Sequence, residues 1–277
     1  MNILSYEFMQ NAILTGIMVS IICGLTGPFI VRKKMVFISG GLSHSAFGGL
    51  GIAYWLGVNP LYGAMVFVLS AAVILGFAEE GNNDGHDLFI GILWAIGMAV
   101  GIVFIHMTPG YAPNLMTFLF GDILTVSRHD VYITFILFCI VSGSVGIFFK
   151  GFVSIALDEE YARVRKLPVR LLNSGLLILI ALSVVALIHA VGIILVIALL
   201  TIPVAIAEEI SFHFKTIMAV SILTGIFVCI VGLTISYFIE FPSGASIILT
   251  GGILLGIIKG FKKIRACLCS DQYRSLE

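Results

Sequence analysis

Apolar residues run along this chain in stretches long enough to cross a membrane, and short polar connections separate one stretch from the next. A helix needs about 20 mostly apolar residues to cross the hydrocarbon core of a bilayer, so the pattern predicts membrane-spanning helices. Nine stretches follow one another, at approximately 11–31, 36–56, 60–78, 88–107, 131–149, 172–189, 191–208, 215–238 and 244–260. We therefore predict an all-α integral membrane protein with about nine transmembrane helices, forming one transmembrane domain over residues 1–277.

The composition supports a membrane protein and argues against several other classes. Hydrophobic residues make up 60% of the chain and charged residues 11%, whereas a soluble domain carries about 25% charged residues. The formal net charge is zero, so nothing indicates binding to nucleic acid. The five cysteines are scattered and do not suggest a disulfide framework. The N-terminal region has no basic cluster of the kind that begins a cleaved signal peptide.

The lysines and arginines predict how the chain is oriented. The nine spans place all but one of the 15 basic residues on one side, and only Arg128 on the other. Because basic residues concentrate in cytoplasmic connections, we predict an external N-terminus and a cytoplasmic C-terminal tail over 261–277.

The second predicted span contains an ionisable residue, His44. Gly40, His44, Gly48 and Gly51 share one face of a helix, since residues three and four apart are neighbours. An ionisable group at bilayer depth is by default a candidate functional site. Each glycine weakens the helix by about 1 kcal/mol relative to alanine, so close helix packing or an open path beside the imidazole must offset that cost. Two interpretations of His44 remain open: a hydrogen bond to a neighbouring helix, or a ligand on a cation path.

Several polar groups are predicted near the outer face of the membrane. They would belong to ordinary solvated loops, or they would form an acidic vestibule that receives a cation. The groups are His106, His129, His189, Asp122, Asp130 and Glu240. His189, between two closely joined spans, is the best candidate for a second metal ligand.

The sequence also predicts the local structure at three other places in the chain. Residues 108–130 contain an apolar run too short to span, for which we predict a partly inserted helix pair. Asp87 follows a polar, acidic turn and is predicted to cap the fourth span. Pro203 lies within the seventh span, where proline bends a helix and frees a carbonyl; it is either a structural bend or a hinge in a gating helix.

The cytoplasmic connection over 154–170 is predicted to form a short surface helix. Its acidic residues come first and its basic residues last, which suits the helix dipole. Two stripes follow the helical period: one is Ile155, Ala156, Glu159, Ala162 and Arg163, and the other is Leu157, Tyr161 and Val164. The helix would either lie on the lipid surface or dock a soluble cytoplasmic partner, and Pro168 would end it.

Four stretches, in their order and spacing, resemble the permease subunits of the metal-ion ABC importers that carry zinc, manganese or iron. The stretches are 41–46 with the glycines that follow, 87–93, 156–162 with 167–169, and 191–203 with 236–245. The resemblance covers nearly the whole chain. It implies the helical bundle of an ABC importer permease in the cytoplasmic (inner) membrane of a prokaryotic cell.

The same resemblance implies partners and site residues. It implies a permease homodimer, an external metal-binding protein, and two cytoplasmic ATPase subunits docked on the coupling segment. The coupling residues would be Leu157, Asp158, Glu159, Glu160, Tyr161 and Ala162. The chain has no Gly-x-x-x-x-Gly-Lys-Ser/Thr loop, so ATP would bind only to the partner, and this chain would be a transport subunit without a covalently bound cofactor. His44, Asp87 and Glu240 carry over as site residues.

The chain departs from the family pattern at a position that bears on the transported ion. Gly40 stands where many members have an aspartate four residues before the histidine, so the usual carboxylate–imidazole pair is missing. Imidazole suits zinc, whereas carboxylate oxygen suits manganese. The departure therefore favours zinc slightly, with manganese or iron as alternatives. Lys166 replaces a frequent glycine, and Glu240 replaces an aspartate while keeping its charge.

Three other functions fit the sequence less well. A permease for larger metal chelates, of the siderophore or cobalamin type, is usually longer and has an extra span. An ATP-independent secondary carrier would have paired acidic residues deep in its spans, and the sequence has none there. An intramembrane enzyme would need a nucleophile–base set or a His-Glu-x-x-His helix, which the sequence also lacks.

Overall fold

The computed structural model describes residues 6–78, 86–109 and 121–274, without the side chains of 77–78, 86, 189–190 and 265–274. Within these ranges the regular elements are helices. Nine are long: α1 Glu7–Arg32, α2 Val36–Trp55, α3 Pro60–Ala78, α4 His86–Met107, α5 Arg128–Leu157, α7 Val169–Val191, α8 Ile193–Ile210, α9 Phe214–Ile239 and α10 Ser243–Arg274. Two are short: a 3-10 turn at Ile123–Thr125 and α6 at Glu159–Val164.

The predicted fold class is confirmed, because each predicted span coincides with a long helix. Eight of the described helices are long and apolar enough to cross a membrane. The third predicted span is a shorter apolar helix over Pro60–Gly76 by the same criterion. The described part of the predicted helix pair at 108–130 is limited to the 3-10 turn and the start of α5, and residues 110–120 lie outside the described residues.

The predicted surface helix over 154–170 is wrong in its extent, because α5 continues through Leu157. Asp158 then has an extended backbone (φ −158°, ψ 110°), and its carboxylate accepts a hydrogen bond from the backbone N–H of Tyr161. An aspartate that bonds the backbone in this way starts a new helix, so α6 is a separate element of six residues. Pro168 caps the start of α7 and does not end the surface helix.

Helix α2 is held in the bundle by backbone-to-backbone packing against α3 and α4. A methyl group added at Gly48 would lie 2.8 Å from the carbonyl oxygen of Gly97, and one added at Gly51 would lie 2.6 Å from Cα of Gly101. Gly49 and Gly63 approach each other in the same way on the α3 side. Small residues allow helices in lipid to approach this closely. Close packing therefore accounts for these glycines of α2.

Ion pairs lie at both ends of the bundle and follow the predicted sorting of charges. One end, which we call the basic end, has the pairs Arg32–Glu208, Lys33–Glu159 and Lys262–Glu209. The opposite end has the pair Glu7–Arg128. Helix α8 thus ends in two carboxylates that pair with cations of α10 and α1.

The close contact of α2 with α4 predicts unequal effects for two glycines of α4. A methyl group at Gly97 would lie 2.6 Å from Cα of Ser45, whereas one at Gly91 has no neighbour within 4 Å. We expect Gly97→Ala to destabilise the purified protein by about 1–3 kcal/mol, the usual cost of overpacking. Gly91→Ala is the matched control and should leave the thermal unfolding midpoint unchanged or raise it. Equal midpoints for the two variants would contradict the packing.

Candidate functional site

His44 occupies the middle of α2, and its imidazole stacks on the indole of Trp94 in α4. The ring centroids are 4.1 Å apart and the planes differ by 9°. Nδ1 of His44 is buried and has no hydrogen-bond partner among the described residues. The hydroxyls nearest in sequence are engaged elsewhere, since Ser43 and Ser45 donate to carbonyls of their own helix. Among the described residues, no hydrogen bond from Nδ1 to a neighbouring helix accounts for this histidine.

Trp94 is a site residue that we did not identify from the sequence. Its indole Nε1 donates to Sδ of Met98 at 3.2 Å, and its ring lies 6.2 Å from that of Phe37. The spacing of Trp94, Gly97 and Gly101 was a usable signal. Residues three and seven apart share a helical face, and the two glycines mark that face as the one against α2. Stacking on Trp94 defines the plane of the imidazole.

The remaining ligand candidates are not brought together with His44. Position 40 faces α8, where a methyl group on Gly40 would meet Cδ1 of Ile197 at 3.0 Å. Glu240 is exposed at the far end of α9, in a left-handed conformation with φ 57°. Asp87 lies in the first turn of α4, one residue inside the helix, at the basic end. The side chain of His189 lies outside the described residues. Within the described part of the chain, no three His, Cys, Asp or Glu side chains could share a metal ion.

Two of the carboxylates predicted near the outer face are engaged in hydrogen bonds. Asp122 accepts hydrogen bonds from the backbone of Leu124 at 3.1 Å and from the hydroxyl of Ser243 at 3.0 Å. Asp130 forms a capping box with Ser127 at the start of α5. These contacts favour structural roles for both residues over an open acidic vestibule.

Pro203 lies inside α8 and packs next to α9. The hydroxyl of Ser221 lies 3.5 Å from the carbonyl oxygen of Pro203, and Thr201 donates to the carbonyl of Ile197 at 2.7 Å. Polar side chains from within and outside the helix therefore accompany the proline, as is usual where it interrupts a membrane helix. Its role as a gating hinge stays a prediction.

The short helix α6 has two different faces at the basic end. An exposed stripe consists of Leu157, the last residue of α5, and of Tyr161 and Val164 in α6, with 61%, 50% and 81% of their surfaces accessible. On the other side Ala162 is fully buried, and Ile155 and Ala156 at the end of α5 are buried too. Of the two stripes read from the sequence, one therefore packs on the bundle except at Arg163, which is exposed, and the other is exposed throughout. An exposed cluster of large apolar residues commonly marks an interaction site.

A buried polar network ties the inner face of α6 to two other helices. The Lys33 side chain is only 7% exposed, and its Nζ donates to Oε1 of Glu159 and, at 2.8 Å, to Oδ1 of Asn173. Nδ2 of Asn173 donates to Oε1 of Glu159 at 3.1 Å. Burial by itself raises the pKa of Glu159, but the hydrogen bonds and positive charge of Lys33, together with Asn173, lower the pKa below its usual value. The carboxylate is therefore ionised at neutral pH.

The network borders a cavity of about 970 Å³ at the basic end. Its lining includes Lys34, Asp87 and Arg163 besides the network itself. A sequence pattern could not reveal this grouping, because Lys33 and Asn173 are 140 residues apart and each is unremarkable in its own segment.

Comparisons with known proteins show which family the chain belongs to. The sequence profile of the ABC 3 transport family matches residues 5–259. An uncharacterized membrane protein of Synechocystis is 44% identical over 260 residues, covering 94% of this chain and 92% of the relative. The manganese transport system membrane protein MntC of Listeria monocytogenes is 31% identical over 275 residues, covering 99% of this chain and 98% of the relative.

The fold is also that of a solved structure. PsaBC from Streptococcus pneumoniae, in complex with Fab, superposes with a TM-score of 0.82 and 31% identity, covering 92% of this chain and 91% of that one. The resemblance that we inferred from four sequence stretches is confirmed by a match over nearly the whole length. This chain belongs to the ABC 3 transport family.

Proposed function

We propose that this chain is the permease subunit of an ATP-driven importer of a divalent metal ion. Family membership makes it a membrane transport subunit and not an enzyme. The observation that carries the proposal is His44, whose buried Nδ1 has no hydrogen-bond partner among the described residues. An ionisable side chain in such a place is costly, and supplying a metal ligand on the transport path would account for it.

A weak and incomplete set of ligands suits a transport path. Conduction requires that an ion bind well enough to enter and weakly enough to leave. One imidazole from each subunit of a homodimer, supplemented by water or carbonyl oxygen, would meet that requirement. The second copy is part of the proposal, and the family resemblance supports it.

The identity of the ion depends on the missing carboxylate. MntC of Listeria monocytogenes is named for manganese, an ion that prefers carboxylate and carbonyl oxygen. In this chain Gly40 packs on Ile197, so the position that would supply the carboxylate is apolar. We therefore retain zinc as the expected ion and manganese or iron as the alternatives.

The exposed stripe of α6 supports docking of a separate ATPase at the basic end. Three large apolar side chains are accessible there, while the rest of α6 is anchored to the bundle through Ala162 and Glu159. A protein that covers the stripe can therefore move the helix bundle. We propose that the basic end faces the cytoplasm and that an external binding protein delivers the ion to the opposite end.

Replacing His44 should impair transport without affecting assembly. We expect His44→Ala to lower metal uptake by at least about tenfold, the lower end of what losing even a supporting group at a metal site costs. His213→Ala, which alters an exposed histidine at the basic end, is the control. Uptake of labelled zinc, manganese and iron into proteoliposomes containing the complete transporter measures both. Wild-type uptake by His44→Ala would refute a role for His44 in the path.

Competition between ions identifies the cargo in the same preparation. We expect unlabelled zinc to displace labelled zinc at a lower concentration than manganese or iron does, because α2 offers an imidazole and no carboxylate. Stronger competition by manganese would overturn the preference for zinc. Competition only by a metal chelate would point to the chelate-transporting alternative.

Polar substitutions in the exposed stripe should release the ATPase. We expect Tyr161→Ser combined with Val164→Ser to weaken binding of the ATPase by at least about tenfold, since each buried apolar anchor contributes about 1.5–3 kcal/mol. Phe212→Ser, an apolar side chain 88% exposed at the same end, is the matched control. Affinity of the purified permease for its ATPase provides the measurement, and unchanged binding by the double variant would contradict the docking role.

A further inference from the structure

We propose that Lys33, Glu159 and Asn173 form the link that transmits movement of α6 to the turn between α1 and α2, and so to the helix that carries His44. The proposal rests on the proposed function in one respect: it takes α6 as the helix that an ATPase displaces. It adds the residues through which that displacement reaches the transport path. In this proposal the three are positioning residues and supply no ligand to the ion.

The network joins three separate elements at a single carboxylate. Glu159 opens α6, Asn173 lies in the second turn of α7, and Lys33 follows the last residue of α1. Oε1 of Glu159 accepts from both Lys33 and Asn173, and Lys33 also donates to Asn173 at 2.8 Å. Each residue therefore contacts the other two, and none can move away without breaking two hydrogen bonds.

Burial makes this network act as a unit. The Lys33 side chain is 7% exposed and that of Glu159 is 36% exposed, and separating a buried cation from its partner leaves an uncompensated charge, which is strongly unfavourable. The basic side chains of the other ion pairs of the described residues are more accessible: Arg32 is 36%, Lys262 59%, Arg128 70% and Arg163 71% exposed. Exposed pairs of that kind contribute little. Displacement of α6 is thus expected to carry Lys33 along with it.

The connection from Lys33 to His44 is short. Only Lys33, Lys34 and Met35 separate α1 from α2, and Lys34 has a left-handed backbone with φ 58°. The N–H of Met35 donates to the carbonyl of Ile30 at 2.8 Å, so the turn is closed by its own hydrogen bond. His44 lies eight residues beyond the start of α2, a rise of about 12 Å along the helix axis. A shift of Lys33 is therefore expected to move His44 as well, because the segment that joins them is short and hydrogen-bonded.

The two faces of α6 have different roles in this proposal. The exposed stripe of Leu157, Tyr161 and Val164 faces away from the bundle, and Glu159 and Ala162 face toward it. A partner can therefore press on one face while the network holds the other. The cavity of about 970 Å³ beside the network leaves α6 without dense packing on that side.

The test uses the complete transporter, permease with ATPase, in proteoliposomes, and measures ions taken up per ATP hydrolysed. We expect Glu159→Gln to lower this ratio about tenfold, within the 5- to 150-fold range typical of coupling between sites, while ATP hydrolysis and binding of the ATPase persist. Glu159→Asp keeps the charge and should restore part of the ratio. Arg163→Gln is the matched control, because Arg163 lies 3.9 Å from the same carboxylate but is 71% exposed, and it should retain the wild-type ratio.

A second measurement does not depend on the cargo. Hydrogen exchange of the backbone is followed with and without a non-hydrolysable ATP analogue in wild type and in Glu159→Gln. In wild type we expect the nucleotide to change exchange at both 159–164 and 33–36. In the variant the change should persist at 159–164 and disappear at 33–36. If Glu159→Gln folds poorly, the same exchange measurement is made on Lys33→Met, with Glu159→Asp for comparison.

The outcomes separate this inference from the proposed function. An unchanged uptake ratio in Glu159→Gln, or a nucleotide effect at 33–36 that survives the substitution, would overturn the link. A wild-type complex that takes up no free metal ion, but in which the nucleotide effect still passes from 159–164 to 33–36 through Glu159, would refute the cargo and support the link. If the nucleotide changes exchange at neither 159–164 nor 33–36 in wild type, docking of the ATPase on α6 is refuted, and the link is refuted with it.

Discussion

Direct contact between helix backbones at the α2–α4 boundary is the constraint on which the rest of the structure depends. Gly48 and Gly51 of α2 meet Gly97 and Gly101 of α4 with no side chain between them. In lipid no hydrophobic force favours one helix contact over another, so close van der Waals packing of small residues has to provide the attraction. The same contact places the indole of Trp94 against His44, and the packing thereby also defines the environment of the candidate ligand.

At the two ends of the bundle the constraint is the pairing of charges. Charged side chains beyond the apolar spans pair with one another across helices that are distant in sequence, as Arg32 does with Glu208 and Lys262 with Glu209. Most of these pairs are accessible to solvent and contribute little stability. The pair of Lys33 with Glu159 differs because the lysine side chain is buried, and that difference singles out the inner face of α6 as the place where a movement of α6 could reach the membrane helices.

Much of the fold could be predicted because the bilayer reduces the choice of structures. A run of about 20 apolar residues has to be helical there, and all nine predicted spans coincide with helices. The break at Asp158 was missed because the charge pattern over 154–170 is compatible with one continuous helix. The carboxylate of Asp158 instead accepts a hydrogen bond from the backbone of Tyr161, and a local bond of this kind competes with a continuous helix.

The sequence by itself determined the membrane class, the positions of the helices, the sorting of basic residues and the unusual presence of His44, since each follows from local composition and helical period. Only the tertiary structure decided which glycines serve close packing, that Trp94 covers the imidazole, that Asp122 meets Ser243, and that Lys33 meets Glu159 and Asn173. These depend on which helix faces meet. Uniformly apolar helices carry almost no sequence signal for that choice, because side chains that face lipid and side chains that face protein have the same polarity.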